Sequence, residues 1–110
     1  MSLEPYILTP GSGWNLEKAR SIQKRMASAV MVKGGCRGIR FIAGLDVAYS
    51  KTYEAFAAAV IFDLKRFEIV EIKRWSGKAE IPYIPGYLSF REIPPLLEVM
   101  KKISPRPDAV

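Results

Sequence analysis

The stretch IRFIAGLDVAY, residues 39–49, decides the fold because it is the clearest strand in the sequence. Its side chains alternate between two faces, as strand geometry requires, and both faces are mainly apolar. Two apolar faces are typical of a strand in the centre of a sheet that helices cover on at least one side. The sequence therefore predicts a central strand at residues 39–49.

Asp46 is the one acidic side chain in this strand. A carboxylate on a buried strand is destabilising unless it is paired, hydrogen-bonded or bound to a cation. Backbone donors at the end of the strand would satisfy it, and so would a metal ion. The residues alone leave both interpretations open.

Two further apolar runs follow, at residues 56–64 and 67–75, with Lys65-Arg66 as a tight reversal between them. Strands joined by so short a turn pair as an antiparallel hairpin. The three strands are therefore expected to form an antiparallel meander.

A helix is predicted before the meander, at residues 16–32. Asn15 is suited to cap its start and Gly34-Gly35 to follow its end. Residues 1–14 are predicted to form an irregular arm, and residues 15–110 the N-terminal portion of a single domain. A helix, a meander, a proline-containing loop at residues 81–92 and a second helix after it together indicate an α/β fold with a mixed sheet.

Composition narrows the classes of function. The chain has 110 residues, of which 49% are hydrophobic, and its net charge of +6 favours a polyanionic partner. It contains no histidine, which excludes a Ser-His-Asp triad and histidine-based zinc sites. Its single cysteine, Cys36, excludes an internal disulfide and fits a reducing compartment. We expect a cytoplasmic protein that does not associate with a membrane.

The stretch IPYIPGYLSFRE, residues 81–92, is the most unusual part of the chain. Pro82 and Pro85 fix the backbone φ angle and remove two donors, so the segment is stiff and cannot join a central sheet ladder. Tyr83 between them is suited to act as a wedge or stacking surface. A loop that covers the core would show the same features, and this stretch alone does not decide between the two.

Pro94-Pro95 predicts where the second helix begins. Proline is tolerated in a first helical turn and disfavoured in a helix interior, so we expect a helix from Pro94 or Pro95 to Ile103. Glu92 would then lie just outside the helix N-terminus, where the helix dipole favours a negative charge. Two observations favour a functional interpretation of Glu92. It lies at the end of the stiff loop, and Asp46 is a second isolated carboxylate in the chain.

Three motifs, GLDVAY at residues 44–49, PYIPGYLSFRE at 82–92 and PDAV at 107–110, occur in this order. Together they resemble the N-terminal half of endonuclease V, a family of repair nucleases directed at deoxyinosine. The resemblance runs from about Leu16 to the last residue. It implies a ribonuclease H-like fold, here incomplete, whose opening meander and strand aspartate agree with the pattern described above.

The resemblance also implies roles for individual residues. Asp46 matches the family's first metal-binding, catalytic carboxylate and Glu92 the second. Tyr83 matches the aromatic wedge that opens the duplex beside a deaminated base, and Arg91 matches an arginine that would anchor a phosphate or a carboxylate. The frame of the wedge consists of Pro82, Ile84, Pro85 and Gly86.

The implied reaction is hydrolysis of a phosphodiester on the 3′ side of deoxyinosine in DNA. Mg²⁺ is the implied cofactor, with Mn²⁺ as a substitute, because hard oxygen ligands suit both ions. The base would be read after extrusion, by contacts to its edge in a pocket. The sequence leaves open whether RNA that contains inosine is also a substrate.

The sequence departs from the family at its end. The family's third carboxylate and its later histidine would lie beyond Val110, and Asp108 is not an equivalent. We therefore expect a truncated form with a sheet edge exposed to self-association, and the sequence leaves open whether this form is active alone. A non-catalytic domain that binds nucleic acid or a protein partner through the wedge loop is the alternative.

Overall fold

The computed structural model describes residues 15–110, so the predicted arm at residues 1–14 lies outside the described part. The elements follow the predicted order of helix, three strands and helix: α1 (Leu16–Ala29), β1 (Phe41–Tyr49), β2 (Glu54–Asp63), β3 (Glu68–Lys78) and α2 (Leu88–Met100). The described residues form two compact units. The first contains residues 15–35 and 80–94, and the second contains residues 36–79 and 95–110.

The three strands form one antiparallel sheet in the order β1-β2-β3, which confirms the predicted meander and hairpin. The prediction that β1 is central is wrong for the described residues, because β2 occupies the middle. On the other side of β1 the structure describes a single parallel bridge, between Ile42 and Ala109. The Ala43 N–H donates to the Ala109 carbonyl at 2.9 Å. The edge of β1 is therefore largely exposed, as expected, and self-association through it stays a prediction.

The two faces of the sheet differ in burial. The inner face carries Ala57 and Ala59, which are buried together with Val99 of α2. Small side chains allow a helix to pack close to a sheet, so the alanines of β2 account for this contact. The other face, here called the outer face, carries Asp46, Phe56 and Arg74 with their neighbours at alternate positions, and it is largely open to solvent within the described residues.

Gly77 is required by the aromatic ring beside it. A Cβ atom at this position would lie 2.4 Å from the Trp75 ring, which packs in the inner-face cluster. We expect Gly77→Ala to destabilise the fold by roughly 1–3 kcal/mol, because the ring must leave its packed position. Urea denaturation measures this loss. Gly44→Ala is the matched control, since nothing lies within 4 Å of its Cβ position; equal destabilisation by both variants would contradict the packing role of Gly77.

Helix α1 confirms the predicted cap and corrects the predicted end. The Asn15 side-chain oxygen accepts a hydrogen bond from the Lys18 N–H at 2.8 Å, as an N-cap does. The helix ends at Ala29 and not at residue 32. Val30 and the two residues after it are exposed, so a longer helix would bury no further apolar surface.

Helix α2 begins at Leu88, so the prediction that it starts at Pro94 or Pro95 is wrong. The two prolines lie in its interior, and Glu92 lies within the helix. An interior proline costs about 3 kcal/mol. Full burial of a phenylalanine or valine side chain contributes roughly 1.5–3 kcal/mol, and Phe90 and Val99 are both buried. The burial of Phe90 before the prolines and of Val99 after them therefore offsets the cost of placing the prolines inside a helix.

Asp63 organises the turn between β2 and β3, a role that the sequence alone did not reveal. It is 1% exposed, and its carboxylate accepts from Arg40 Nε at 3.2 Å and Nη2 at 3.0 Å. The N–H groups of Lys65 and Arg66 donate to it at 2.9 and 3.2 Å. The Arg40 hydrogen bond and these backbone donors outweigh burial and lower the pKa of Asp63 to about 2. The position of Asp63 directly before the turn that contains Lys65-Arg66 was the feature of the sequence that could have indicated this role.

Candidate nucleic-acid and metal site

The loop that precedes α2 is attached to α1 through an apolar anchor. Ile81 is 3% exposed and lies in a buried cluster with Ala19, Ile22 and Phe90. Ala19 and Ile22 belong to the buried stripe of α1, and Phe90 belongs to the first turn of α2. This anchor fixes the start of the loop in the first unit.

A tight turn fixes the other end of the loop. The Tyr87 N–H donates to the Ile84 carbonyl at 2.9 Å, with Pro85 and Gly86 between them. Gly86 has φ of 88°, which a type II turn requires at its third position and which glycine adopts without strain. Gln23 Nε2 of α1 donates to the Gly86 carbonyl at 2.6 Å. The loop is therefore held by α1 at both ends.

Tyr83 projects from the middle of this fixed loop, and its side chain is 57% exposed. Pro82 and Pro85 are exposed beside it, while Ile84 is half-buried. The two interpretations of the loop therefore apply to different residues. Ile81 covers the core, and Tyr83 offers an aromatic ring to solvent on a rigid support.

Arg91 and Glu92 follow in the first turns of α2, and both are half-buried. They belong to the same unit as Tyr83 and the turn at Gly86. The structure thus brings together, within the first unit, every predicted site residue except Asp46.

Asp46 lies on β1 in the second unit and is exposed. The expectation that burial destabilises its carboxylate is wrong, because Asp46 lies on the outer face. One carboxylate oxygen accepts from the adjacent Val47 N–H at 2.9 Å. For the other oxygen, residues 15–110 provide no hydrogen-bond donor. This exposed oxygen is suited to bind a cation.

The carboxylates of Asp46 and Glu92 suit a hard divalent cation, since Mg²⁺ and Mn²⁺ prefer oxygen ligands and retain bound water. In the described part of the chain, no three His, Cys, Asp or Glu side chains form a group that could hold a metal. The described carboxylates would therefore share the cation with water or with further ligands. The metal-binding roles of Asp46 and Glu92 stay predictions.

Asp108 has a different role from Asp46. Its carboxylate accepts from the backbone N–H groups of Arg40 and Phe41, each at 2.9 Å. These two donors, the Phe41 N–H first, lower the pKa of Asp108. Its oxygen is thus used to hold the chain beside the start of β1.

No helix among residues 15–110 combines the length and the apolar composition that crossing a bilayer requires. Cys36, the free cysteine of the chain, is exposed.

Comparison with known proteins gives one consistent result. The family model for endonuclease V matches residues 20–110. The endonuclease V of Gloeobacter violaceus is 34% identical over 102 residues, which cover 88% of this chain and 42% of that protein. The crystal structure of Streptomyces avermitilis endonuclease V has a TM-score of 0.78 at 31% identity, covering 92% of this chain and 46% of that one.

A third similar structure is Ciona intestinalis endonuclease V in complex with a 24mer DNA containing an inosine followed by a ribo-adenosine. Its TM-score is 0.70 at 23% identity, over 79% of this chain and 38% of that one, so the likeness concerns the fold. The fold is accordingly the mixed α/β, ribonuclease H-like fold that the sequence predicted. The chain spans about two fifths of the length of the curated relatives that it matches. By its motifs, its fold and the match over residues 20–110, this chain belongs to the endonuclease V family.

Proposed function

We propose that the protein is a metal-dependent endonuclease of DNA repair that hydrolyses the phosphodiester on the 3′ side of deoxyinosine. The observation that carries the proposal is the family match over residues 20–110, which includes Asp46, Tyr83 and Glu92. DNA containing deoxyinosine is the proposed partner, and inosine-containing RNA is a second substrate class. The cytoplasm is the proposed compartment.

Tyr83 has the features that a wedge needs. Its ring is exposed, while the backbone on either side is fixed by Ile81 and by the turn at Gly86. A preformed loop loses little conformational entropy on binding, so more of the contact energy remains for unstacking a base step, which requires a few kcal/mol. In the proposed mechanism Tyr83 enters the stack beside the deaminated base and occupies the space that the extruded base leaves.

The carboxylates would act at the scissile phosphate. Asp46 and Glu92 would hold Mg²⁺ through their oxygens, and the exposed oxygen of Asp46 supports this assignment. When bound, Mg²⁺ lowers the pKa of water and stabilises negative charge on the phosphate and the leaving oxygen. Arg91 would orient a phosphate or one of these carboxylates with its planar guanidinium.

A cleavage assay tests the proposal. The chain is incubated with Mg²⁺ and a 5′-labelled strand that contains one deoxyinosine, and a second strand has guanine at the same position. The proposal expects one product, cut on the 3′ side of inosine and ending in a 3′-hydroxyl, and no product from the guanine strand. Equal cleavage of both strands, or cleavage in the presence of EDTA, would contradict it.

Tyr83→Ala is expected to remove the preference for inosine-containing duplex over normal duplex, because the wedge supplies the unstacking contact. Stacking of one aromatic ring on a base contributes about 1–3 kcal/mol, so the affinity should fall roughly five- to hundred-fold. Gel-shift titration in Ca²⁺ measures both affinities. Tyr53→Ala is the control, since Tyr53 is also exposed but lies in the turn between β1 and β2. Unchanged discrimination in Tyr83→Ala would refute the wedge assignment.

The alternative function is a non-catalytic domain that binds nucleic acid through the same loop. Among residues 15–110, no three His, Cys, Asp or Glu side chains form a group that could hold a metal, and this observation favours the alternative. It expects inosine-dependent binding that requires Tyr83, without cleavage in Mg²⁺ or Mn²⁺. The two assays described above therefore separate the two functions.

A further inference from the structure

Helix α1 contacts the loop that carries Tyr83 through two polar side chains as well as through the apolar anchor. Arg20 and Gln23 are three residues apart, so they are neighbours on the surface of the helix. Both are exposed, and each directly follows a buried residue of α1, Ala19 or Ile22. The mechanism proposed above gives neither residue a role.

Gln23 forms the shorter of the two polar contacts. Its Nε2 donates to the Gly86 carbonyl at 2.6 Å. This carbonyl belongs to the peptide group that joins Gly86 to Tyr87, and the N–H of the same peptide group donates to the Ile84 carbonyl at 2.9 Å. The peptide group is therefore fixed on one side by the turn and on the other side by α1.

Arg20 forms the weaker contact. Its Nε donates to the Tyr87 hydroxyl at 3.4 Å, which is long for a hydrogen bond. The Tyr87 ring also stacks on Phe90, with the ring centroids 6.3 Å apart, so packing already orients this side chain. Gln23 is therefore the main polar tie between α1 and the loop.

Tyr83 lies between the two points at which the loop is held. Ile81 is buried and fixes the start of the loop whether or not the turn is formed. A turn hydrogen bond that is open to water contributes little by itself, because water replaces it when the turn opens. Without Gln23, Tyr83 would belong to a loop that is held firmly at one end only.

We infer that Gln23 is a positioning residue for Tyr83, which it holds ready for insertion through the Gly86 carbonyl. This inference rests on the proposed function, in which Tyr83 is the wedge. The affinity for a ligand falls with the fraction of the protein that is in the binding conformation. Gln23 therefore raises the preference for inosine-containing duplex without contacting the DNA.

Gel-shift titration in Ca²⁺ tests the inference on the 110-residue chain. The quantity measured is the ratio of the affinity for an inosine-containing duplex to that for a normal duplex. Gln23→Met removes the donor and keeps the length of the side chain, so it should lower this ratio about two- to ten-fold, the effect of one hydrogen bond. Gln23→Lys keeps a donor that can reach the Gly86 carbonyl, so it should restore most of the ratio.

The Tyr83→Ala variant shows whether Gln23 acts through the ring. Adding Gln23→Met to Tyr83→Ala should not change the ratio further, because the ring that Gln23 positions is already absent. Residues that act independently would add their effects instead. An equal effect of Gln23→Met with and without the Tyr83 ring would overturn the inference, since Gln23 would then contact the DNA itself.

Ser28→Ala is the matched control for Gln23→Met. Ser28 is also exposed on α1, and its Oγ donates to a backbone carbonyl, that of Arg25 in the same helix, at 2.8 Å. Its loss should leave the ratio unchanged. An equal loss in Ser28→Ala, an unchanged ratio in Gln23→Met, or no recovery in Gln23→Lys would contradict the positioning role. Circular dichroism of each variant confirms its folding.

Hydrogen exchange of the free chain separates failure of this inference from failure of the proposed function. The Tyr87 amide should exchange faster in Gln23→Met than in the wild type or in Ser28→Ala, because the turn opens more often. If the wild type and Tyr83→Ala have the same affinity ratio, the proposed function fails and the inference fails with it. If their ratios differ but Gln23→Met protects the Tyr87 amide as the wild type does, the wedge stands and the role of Gln23 is wrong.

Discussion

Replacing Asp46 with asparagine is expected to lower the rate of Mg²⁺-dependent cleavage at inosine by at least about a hundred-fold. Loss of a residue that only hydrogen-bonds to a metal ligand already lowers metal affinity or activity about 10–100-fold, and Asp46 is a proposed ligand itself. Asparagine keeps the shape of the side chain and one oxygen that can accept from the Val47 N–H. It loses the negative charge that holds the cation. The rate at saturating Mg²⁺ measures the effect.

The thermal stability of Asp46→Asn should equal that of the wild type, because Asp46 is exposed and its hydrogen bond is to its own neighbour in the chain. Glu98→Gln is the control, since Glu98 lies on α2 and its carboxylate pairs with Lys101 at 3.1 Å. Wild-type cleavage in Asp46→Asn would remove Asp46 from the proposed metal site. A similar loss in Glu98→Gln would mean that the effect is one of overall charge.

Asp63→Asn is expected to destabilise the fold. The substitution removes the charged acceptor of two Arg40 bonds and two backbone bonds in a buried position. Hydrogen bonds to charged groups are the stronger class, so we expect the unfolding midpoint to fall by roughly 5–10 °C. Glu68→Gln is the control, because Glu68 pairs with Arg66 at 3.0 Å at an exposed site. Equal losses in the two variants would contradict the role of Asp63 in the turn.

The same carboxylate predicts a pH dependence. The pKa of Asp63 is about 2 in the folded chain and 3.8 in the reference state, so its ionised form stabilises the fold. This contribution is fully present above about pH 4 and is lost as the pH falls toward 2. The stability difference between the wild type and Asp63→Asn should therefore shrink over this range. A difference that stays constant would mean that the charge of Asp63 is unimportant.

The features that the sequence predicted correctly depend on neighbouring residues. Asn15 caps the helix that follows it, and Lys65-Arg66 lies in the turn of a hairpin, because caps and tight turns are set by local hydrogen bonds. The loop at residues 81–92 was also identified from its own prolines and aromatics.

The errors concern features that depend on distant parts of the chain. Alternation of apolar residues in β1 did not reveal that its outer face is open, so the burial of Asp46 was wrongly predicted. Pro94-Pro95 predicted a helix start locally, whereas burial of Phe90 against α1 keeps the helix intact before the prolines. The division of the loop into a buried Ile81 and an exposed Tyr83 likewise depends on α1.

We propose that Asp46 on β1 and Glu92 on α2 are ligands of one cation. Mn²⁺ titration followed by electron paramagnetic resonance tests it on Asp46→Asn, Glu92→Gln, the double variant and the Glu98→Gln control. We predict that the wild type binds one Mn²⁺ at this site and that each single substitution raises the Kd of that ion at least about tenfold, because both carboxylates would hold it. Retention of one Mn²⁺ site in each single variant, with loss of all binding only in the double variant, would contradict a shared metal site. So would single variants that bind Mn²⁺ as Glu98→Gln does.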